Sequence, residues 1–559
     1  MISNKSKYCV AVWAFLISIS CLAAELKLPT IFSDGMVLQQ GIKVPVWGHA
    51  APDSKVTVSF KGQEKETKAD AEGKWQLKLD ILKASSTPVS LVVSSGAKSY
   101  TIKNVLIGEV WFCSGQSNMD FTMATLTRTA RNEKYKSIND YIRKETETAA
   151  DPLFRQFTVE KATSPFKQLE TMKGSWISSS PENNPAFSAT AYFFGRELRQ
   201  KLGVPVALIK SAWGGTRVEP WIPESAYLNN KEMAEYYSTN TASLKKMAAE
   251  WDQAAVDAKY ATALKKWQET KKGRKPRKKE NSANKQTVPS TLFNAMVKPL
   301  MPFAIKGTIW YQGESNANYN NDKYEKHFKA MIASWRQLWG QGDFPFYFVQ
   351  LANFKKPVKE PVDYDGWALI CEQQRRTLSL KNTGMAVAND IGDARDIHPK
   401  NKVDVGKRLA LWALKKDYNQ EISICSGPIY KSHEILGTKV LITFDYSASG
   451  LMSGKKNLMD KTQKVDEALS HFQICGEDRQ WKWAQANITS NNTIEVFHAE
   501  VTKPTIVRYA WARNPEAANL YNKEGLPASV FTTEKDLPVA EVKSKSKSKA
   551  KTKRKKAKK

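Results

Sequence analysis

Cysteine and histidine are scarce in this sequence: 559 residues hold six of each. Cys9 and Cys21 fall within the first 22 residues, while Cys113, Cys371, Cys425 and Cys475 are scattered without CxxC or Cys/His spacing. That spacing excludes a zinc ribbon and a disulfide framework, so the four are expected as buried free thiols and no metal is expected. Twenty-eight glycines and 24 prolines leave no room for a collagen-like repeat, and no internal period of solenoid or propeller length is present. Past residue 22 no apolar run is long enough to cross a bilayer, so no membrane span is expected.

What the chain does have is positive charge, +29 formally, but its location matters more than its size. Lys543 to Lys559 carries eleven Lys/Arg and no acid, Lys271 to Glu280 carries seven against one acid, and Lys5 and Lys7 stand near the start. Roughly a third of the excess is left for everything else, which argues against a folded basic groove and against specific nucleic-acid reading. The tail is expected to be disordered over 541–559, a solvated tether able to adsorb to anionic surfaces or polymers.

The beginning reads as an export signal over 1–24: Lys5 and Lys7, an apolar stretch from Cys9 to Leu22, then Ala23 and Ala24. Acylation at Cys21 is the weaker reading, because Ser18 stands where such signals carry a large aliphatic residue. The expected destination is the periplasm or the exterior.

Period-two alternation in Val44–Gly48, Lys55–Phe60, Lys74–Leu79 and Ser90–Val93 predicts a small β-sandwich over 25–105. Over 106–415, continuous apolar strands alternate with helical segments, the pattern of an α/β domain with a mostly parallel sheet covered on both faces. Within it, 225–285 is polar, helical and increasingly basic, an insertion ending in a disordered loop. Alternation returns at Val440–Phe444, Thr493–Phe497 and Thr505–Tyr509, predicting a further β-rich region over 416–540.

The candidate chemistry lies at strand ends. Gly108-Glu-Val-Trp-Phe-Cys-Ser-Gly-Gln-Ser-Asn-Met119 runs a strand into Ser117, where open α/β sheets build their sites. A serine nucleophile needs a base, and His49, His327, His433, His471 and His498 have unremarkable surroundings. His398 follows a strand and has Asp390, Asp393 and Asp396 close by, carboxylates able to orient an imidazole. Two further strands run into Gly214-Gly215, whose bare backbone could approach a substrate oxygen, and into Gln312-Gly-Glu314.

At these residues the chain resembles the sialate O-acetylesterase family, a branch of the SGNH/GDSL hydrolases. The resemblance spans Phe32-Ser-Asp-Gly-Met-Val-Leu-Gln, Gly108 to Met119, Ser211-Ala-Trp-Gly-Gly-Thr, Leu292-Phe-Asn-Ala-Met, Ile309-Trp-Tyr-Gln-Gly-Glu-Ser-Asn, Asp390 to Pro399, and Asn519-Leu-Tyr-Asn. It implies a flavodoxin-like three-layer SGNH α/β domain flanked by β-rich domains, a serine esterase removing acetyl groups from a sugar without a cofactor. Carried over by position, Ser117 is the nucleophile, His398 the general base, and Gly214 an oxyanion donor together with the Ser117 N–H; Gln312 is a further candidate donor. The superfamily places an Asp three residues before its His, where this chain has Arg395. The orienting acid is therefore Asp396, Glu314 or Asp393, in that order. An esterase for acetylated xylan or another polysaccharide is the alternative within this chemistry, and a catalytically inactive carbohydrate-binding protein the alternative outside it.

Overall fold

The computed structural model describes residues 26–319 and 321–539; the expected export signal and basic tail lie outside them. One strand, β1 (Lys98–Gly115), organises the molecule. Its first half pairs antiparallel with Ser85–Ser95, within a β-rich module that also contains Lys55–Phe60 and Gln63–Lys68. A two-stranded sheet of Val44–His49 and Lys74–Leu79 belongs to the same region. The second half of β1 is the centre of the main sheet, so the expected division between residues 105 and 106 falls inside a single strand. Continuous backbone pairing, rather than a linker, couples the two parts.

The main sheet contains β1, β2 (Asp151–Val159), β3 (Gly174–Ser179), β4 (Val206–Ala212), β5 (Gly307–Tyr311), β6 (Phe346–Val349) and β7 (Thr383–Ala386). Its spatial order is β7-β6-β5-β1-β4-β2-β3, and all neighbours are parallel except β3 on β2. From β1 the chain passes to β2 and β3 on one side, fills the place between β1 and β2 with β4, and then crosses to continue on the other side from β5. The carboxyl ends of β1 and β5 therefore flank a topological switch point, the crevice where such sheets bind ligands.

Successive side chains of β1 point to opposite faces, and in its second half, from Val105 to Gly115, both faces are buried. Trp111 meets Phe194 at 5.0 Å between ring centroids, on helix α1 (Ala189–Leu202). Phe112 meets Trp335 at 5.5 Å and Trp339 at 5.4 Å, on helix α2 (Tyr324–Trp339). Helix α3 (Lys402–Lys416) lies beside α1, where Gly406 lets the two backbones approach: a Cβ there would sit 2.6 Å from the Phe194 nitrogen. Burying each of these large side chains is worth about 1.5–3 kcal/mol relative to exposure, which is why the apolar runs become central strands. The architecture is mixed α/β with a mainly parallel sheet between helical layers.

In the segment expected as a helical insertion, helices span Lys231–Ala249 and Gln253–Thr270. The second buries none of its residues, and the basic stretch after it forms no regular element. Beyond α3, antiparallel sheets form from Ile429–Leu436, Lys439–Asp445, Gln485–Ile488 and Thr493–Phe497, and from Phe472–Cys475, Ile506–Tyr509 and their neighbours. Cys113, Cys371, Cys425 and Cys475 are buried free thiols. Among the described residues no helix is long and apolar enough to cross a membrane.

The β1–β5 contact that frames the switch point depends on Gly115. Its φ is +137°, and a Cβ at this position would lie 2.2 Å from the Tyr311 carbonyl oxygen. Backbone cannot yield as a side chain can, so Gly115→Ala is expected to lose about 3 kcal/mol or more of stability from overpacking and strain together. Urea unfolding of the purified variant measures this; a loss below about 1 kcal/mol would contradict the close approach.

Candidate active site

The end of β1 sets the first component. Gln116 donates its backbone N–H to the Tyr311 carbonyl at 2.9 Å, and the chain then turns into a single helical turn, Ser117–Asp120. Ser117 is partly exposed in an otherwise buried segment. Being the first residue of that turn, its N–H has no intrahelical acceptor. Gly214, just past β4, lies against it: a Cβ on Gly214 would be 3.3 Å from the Ser117 Cβ. The Gly214 N–H faces Asp120 Oδ2 at 3.4 Å, and that carboxylate is ion-paired to Lys210 at 2.9 Å and to Lys161 at 2.6 Å.

His398 arrives from β7, at the edge of the sheet and three strands from β1, roughly 14 Å at ordinary strand spacing. The loop after β7 folds back over the carboxyl edge and brings His398 Nε2 to 3.0 Å from Ser117 Oγ. Nδ1 lies 2.9 Å from Asp396 Oδ1, and the same oxygen accepts the His398 backbone N–H at 2.9 Å. This Asx-type turn lets an acid only two residues before the histidine reach its ring. With Nδ1–H donating to Asp396, Nε2 is left as the acceptor for the serine hydroxyl. Phe121 stacks on the imidazole, centroids 4.3 Å apart and planes 22° apart. Lys400 Nζ donates to Asp396 Oδ2 at 2.7 Å. Although partial burial raises the Asp396 pKa, the hydrogen bonds from His398 and Lys400 outweigh it and hold this carboxyl well below the usual range.

The other expected residues stand elsewhere. Asp393 accepts from the Tyr135 hydroxyl and, at 2.7 Å, from the Arg395 N–H. Asp390 forms a two-bond pair with Arg408 at 2.6 and 2.8 Å. Glu314 is 6% exposed, and one of its oxygens accepts from Asn118 Nδ2. Neither Asp393 nor Glu314 hydrogen-bonds to His398. Gln312 departs from its expected place as an oxyanion donor: it is fully buried, and its amide nitrogen donates to Asn316 Oδ1 at 2.7 Å, with Thr216 O and Gln116 Oε1 at 3.3 and 3.4 Å. Its hydrogens are spent inside the protein, bracing the strand ends from below.

Sequence reasoning missed Asn118, Phe121, Lys400 and Lys402. Asn118 was visible beside Ser117 but carried no distinguishing signal. The lysines in Pro399-Lys-Asn-Lys402 carry no sequence signal of burial, which is rare for lysine, yet Lys402 is fully buried and donates to Asn118 Oδ1. Among the described residues no three His, Cys, Asp or Glu side chains converge to hold a metal ion. A hydroxyl, an imidazole and a carboxylate in one hydrogen-bonded series, open to solvent at the hydroxyl, suit transfer of an acyl group through a serine ester.

Comparison with known proteins points the same way. The family model for a carbohydrate esterase, sialic acid-specific acetylesterase, matches residues 107–274 and 256–415. The sialate O-acetylesterase of Rattus norvegicus is 30% identical over 532 residues, covering 87% of this chain and 90% of the relative. That of Mus musculus is 29% identical over 536 residues, covering 88% and 90%. The crystal structure of a carbohydrate acetylesterase from Xanthomonas citri superposes with a TM-score of 0.72 at 33% identity, covering 91% of this chain and 100% of that one. With these similarities spanning the sheet and the strand ends just described, the chain belongs to the family of sialic acid-specific carbohydrate acetylesterases.

Proposed function

We propose that this protein is a serine esterase of the SGNH type that removes O-acetyl groups from a sugar, with O-acetylated sialic acid as its first substrate and acetylated xylan as the alternative. The observation that carries this reading is the Ser117 Oγ to His398 Nε2 contact of 3.0 Å at the switch point of the sheet. Family membership supports the ester and the sugar. The ordered serine–imidazole pair argues against a purely binding role.

In this mechanism His398 Nε2 takes the hydroxyl proton as Ser117 Oγ attacks the acetyl carbonyl carbon. The Ser117 N–H receives the developing oxyanion, and the Gly214 N–H joins it by leaving its long 3.4 Å hydrogen bond to Asp120 Oδ2. Collapse of the tetrahedral species expels the sugar oxygen, which takes the proton from His398. Water, deprotonated by the same nitrogen, then attacks the acetyl-enzyme; the bond from Ser117 Oγ to the acyl carbon breaks, the serine oxygen takes the proton back from His398, and acetate leaves. Asp396 keeps the ring in the reactive tautomer and stabilises the imidazolium, while Glu314 is bonded to Asn118 rather than to the ring. Residues 1–24 would direct export, and the basic tail would tether the enzyme to anionic surfaces.

Ser117→Ala is expected to lose acetate release from O-acetylated sialic acid and turnover of 4-nitrophenyl acetate while melting like the parent. Retention of wild-type turnover would refute the nucleophile. Asp396→Asn should lower kcat on the order of 1000- to 10,000-fold, the cost of a wrong imidazole tautomer, and more than Glu314→Gln does. If Glu314→Gln proves the more damaging, Asp396 is not the orienting acid.

Stability should respond to pH in a defined direction. The Asp396 carboxyl titrates lower in the folded than in the unfolded chain. Its contribution is therefore full above the unfolded value of about 3.9 and is lost as pH falls toward the folded one. The unfolding free-energy gap between wild type and Asp396→Asn, measured in urea, should be full above about pH 5 and narrow below about pH 4. A gap independent of pH would contradict the ion pairing.

A further inference from the structure

We propose that Asn118, clamped between the carboxylate of Glu314 and the ammonium of Lys402, is a positioning residue that sets the approach of His398 to Ser117. The proposal rests on the reading that these two side chains do the chemistry, and it assigns work to a buried ionic group which that mechanism leaves unused.

Asn118 directly follows Ser117 and is 1% exposed. A carboxamide offers two N–H donors and one oxygen, and here all are engaged. One N–H goes to Glu314 Oε1, the other to the Ile397 carbonyl at 3.2 Å, and the oxygen accepts from Lys402 Nζ. The backbone carbonyl of Asn118 is fixed as well, by the Thr190 hydroxyl at 2.8 Å. Ile397 is the residue before His398. A single side chain thus joins the segment carrying the nucleophile, the turn after β5, the loop carrying the base and the first residue of α3.

The two charges explain why the amide holds one orientation. Rotating the carboxamide by 180° would set its N–H groups against the Lys402 ammonium and its oxygen against the Glu314 carboxylate. Both groups are buried, so neither could turn to water for relief, and the wrong orientation is costly. Tyr311 adds to the enclosure, its ring centroid 5.0 Å from Lys402 Nζ. Burial pushes the Lys402 amine down to about 7, with Glu314 and Asp396 opposing that shift and Lys400 adding to it. Burial likewise raises the Glu314 carboxyl, against the hydrogen bond from Asn118 and the nearby Lys402 and His398. Buried charges contribute little net stability but can select one arrangement over another, and the arrangement selected here is the amide that holds the base loop at the Ile397 carbonyl. A misplacement of about 1 Å between reacting groups can cost on the order of 100-fold in rate.

The test uses the full chain with Asn118→Asp, which keeps the side-chain volume but leaves at most one donor where there were two, together with Asn118→Ala and Lys402→Met. Three quantities are read: kcat and KM for 4-nitrophenyl acetate, the rate at which a fluorophosphonate labels Ser117, and the melting temperature. For Asn118→Asp and Asn118→Ala, kcat and the labelling rate should fall together by about 100-fold in folded protein, with KM within about threefold of wild type. Lys402→Met, which frees only the amide oxygen, should fall by a smaller factor in the same two quantities. Wild-type kcat and labelling in folded Asn118→Asp overturn the proposal. So does a rise in KM at constant kcat, which would make Asn118 a substrate-binding group. So does a loss of activity that merely tracks the loss of folded protein. If the alanine variant does not fold, Asn118→Asp and Lys402→Met decide alone. Activity in Ser117→Ala would instead overturn the assignment of the active site, so the two failures are separable.

Discussion

A hydrogen bond between residues 281 positions apart, Ser117 and His398, is the constraint on which the chemistry of this molecule depends. Neither partner could be held by local structure alone. Ser117 stands on one helical turn of four residues, too short to be stable by itself. His398 stands on a loop without regular structure. Both are fixed by what they are attached to: β1, buried on both faces in the middle of the sheet, and the junction of β7 with α3.

The strands contribute position rather than reactivity. Parallel pairing puts the carboxyl ends of β1, β4, β5 and β7 at one edge, so Ser117, Gly214, Glu314 and His398 all emerge on the same side. Gly115 lets β5 approach closely enough for Gln312 and Asn316 to brace the turn before the nucleophile. The polar groups beneath the site are costly to bury singly and are acceptable because they satisfy one another. The C-terminal region adds to this support, since the Tyr521 hydroxyl reaches Asp390 at 3.4 Å and Asn514 reaches Asn353, whose oxygen accepts the Gly392 N–H. The loop that carries the base is therefore held from outside the α/β sheet as well as from within.

Two carboxylates near one histidine have been given different environments, and the environments define their roles. Asp396 is partly exposed, bound by Lys400 and by two N–H groups of His398, and stays ionised. Glu314 is buried, bound through Asn118, and leaves one oxygen without a partner among the described residues. A motif cannot distinguish these situations, because the difference lies in solvent and neighbours rather than in residue type.

The sequence by itself determined the period-two and continuous apolar patterns, and with them the existence and type of the strands at Lys55–Phe60, Val206–Ala212, Gly307–Tyr311 and Lys439–Asp445. Those patterns record which faces are buried, and burial is a local consequence of composition. It also made the serine after β1 and the histidine after β7 recognisable, since nucleophiles and bases are few and stood at strand ends. What only tertiary structure decided was strand order, and hence which ends meet: nothing in residue type at Asp396, Glu314 or Asp393 reveals that Asp396 faces the imidazole, and nothing local to Gln312 reveals that it turns inward. The burial of Lys402 was equally illegible, because a lysine enters the interior only where distant segments, here the turns after β1 and β5, supply the acceptor and the counter-charge that make its desolvation tolerable.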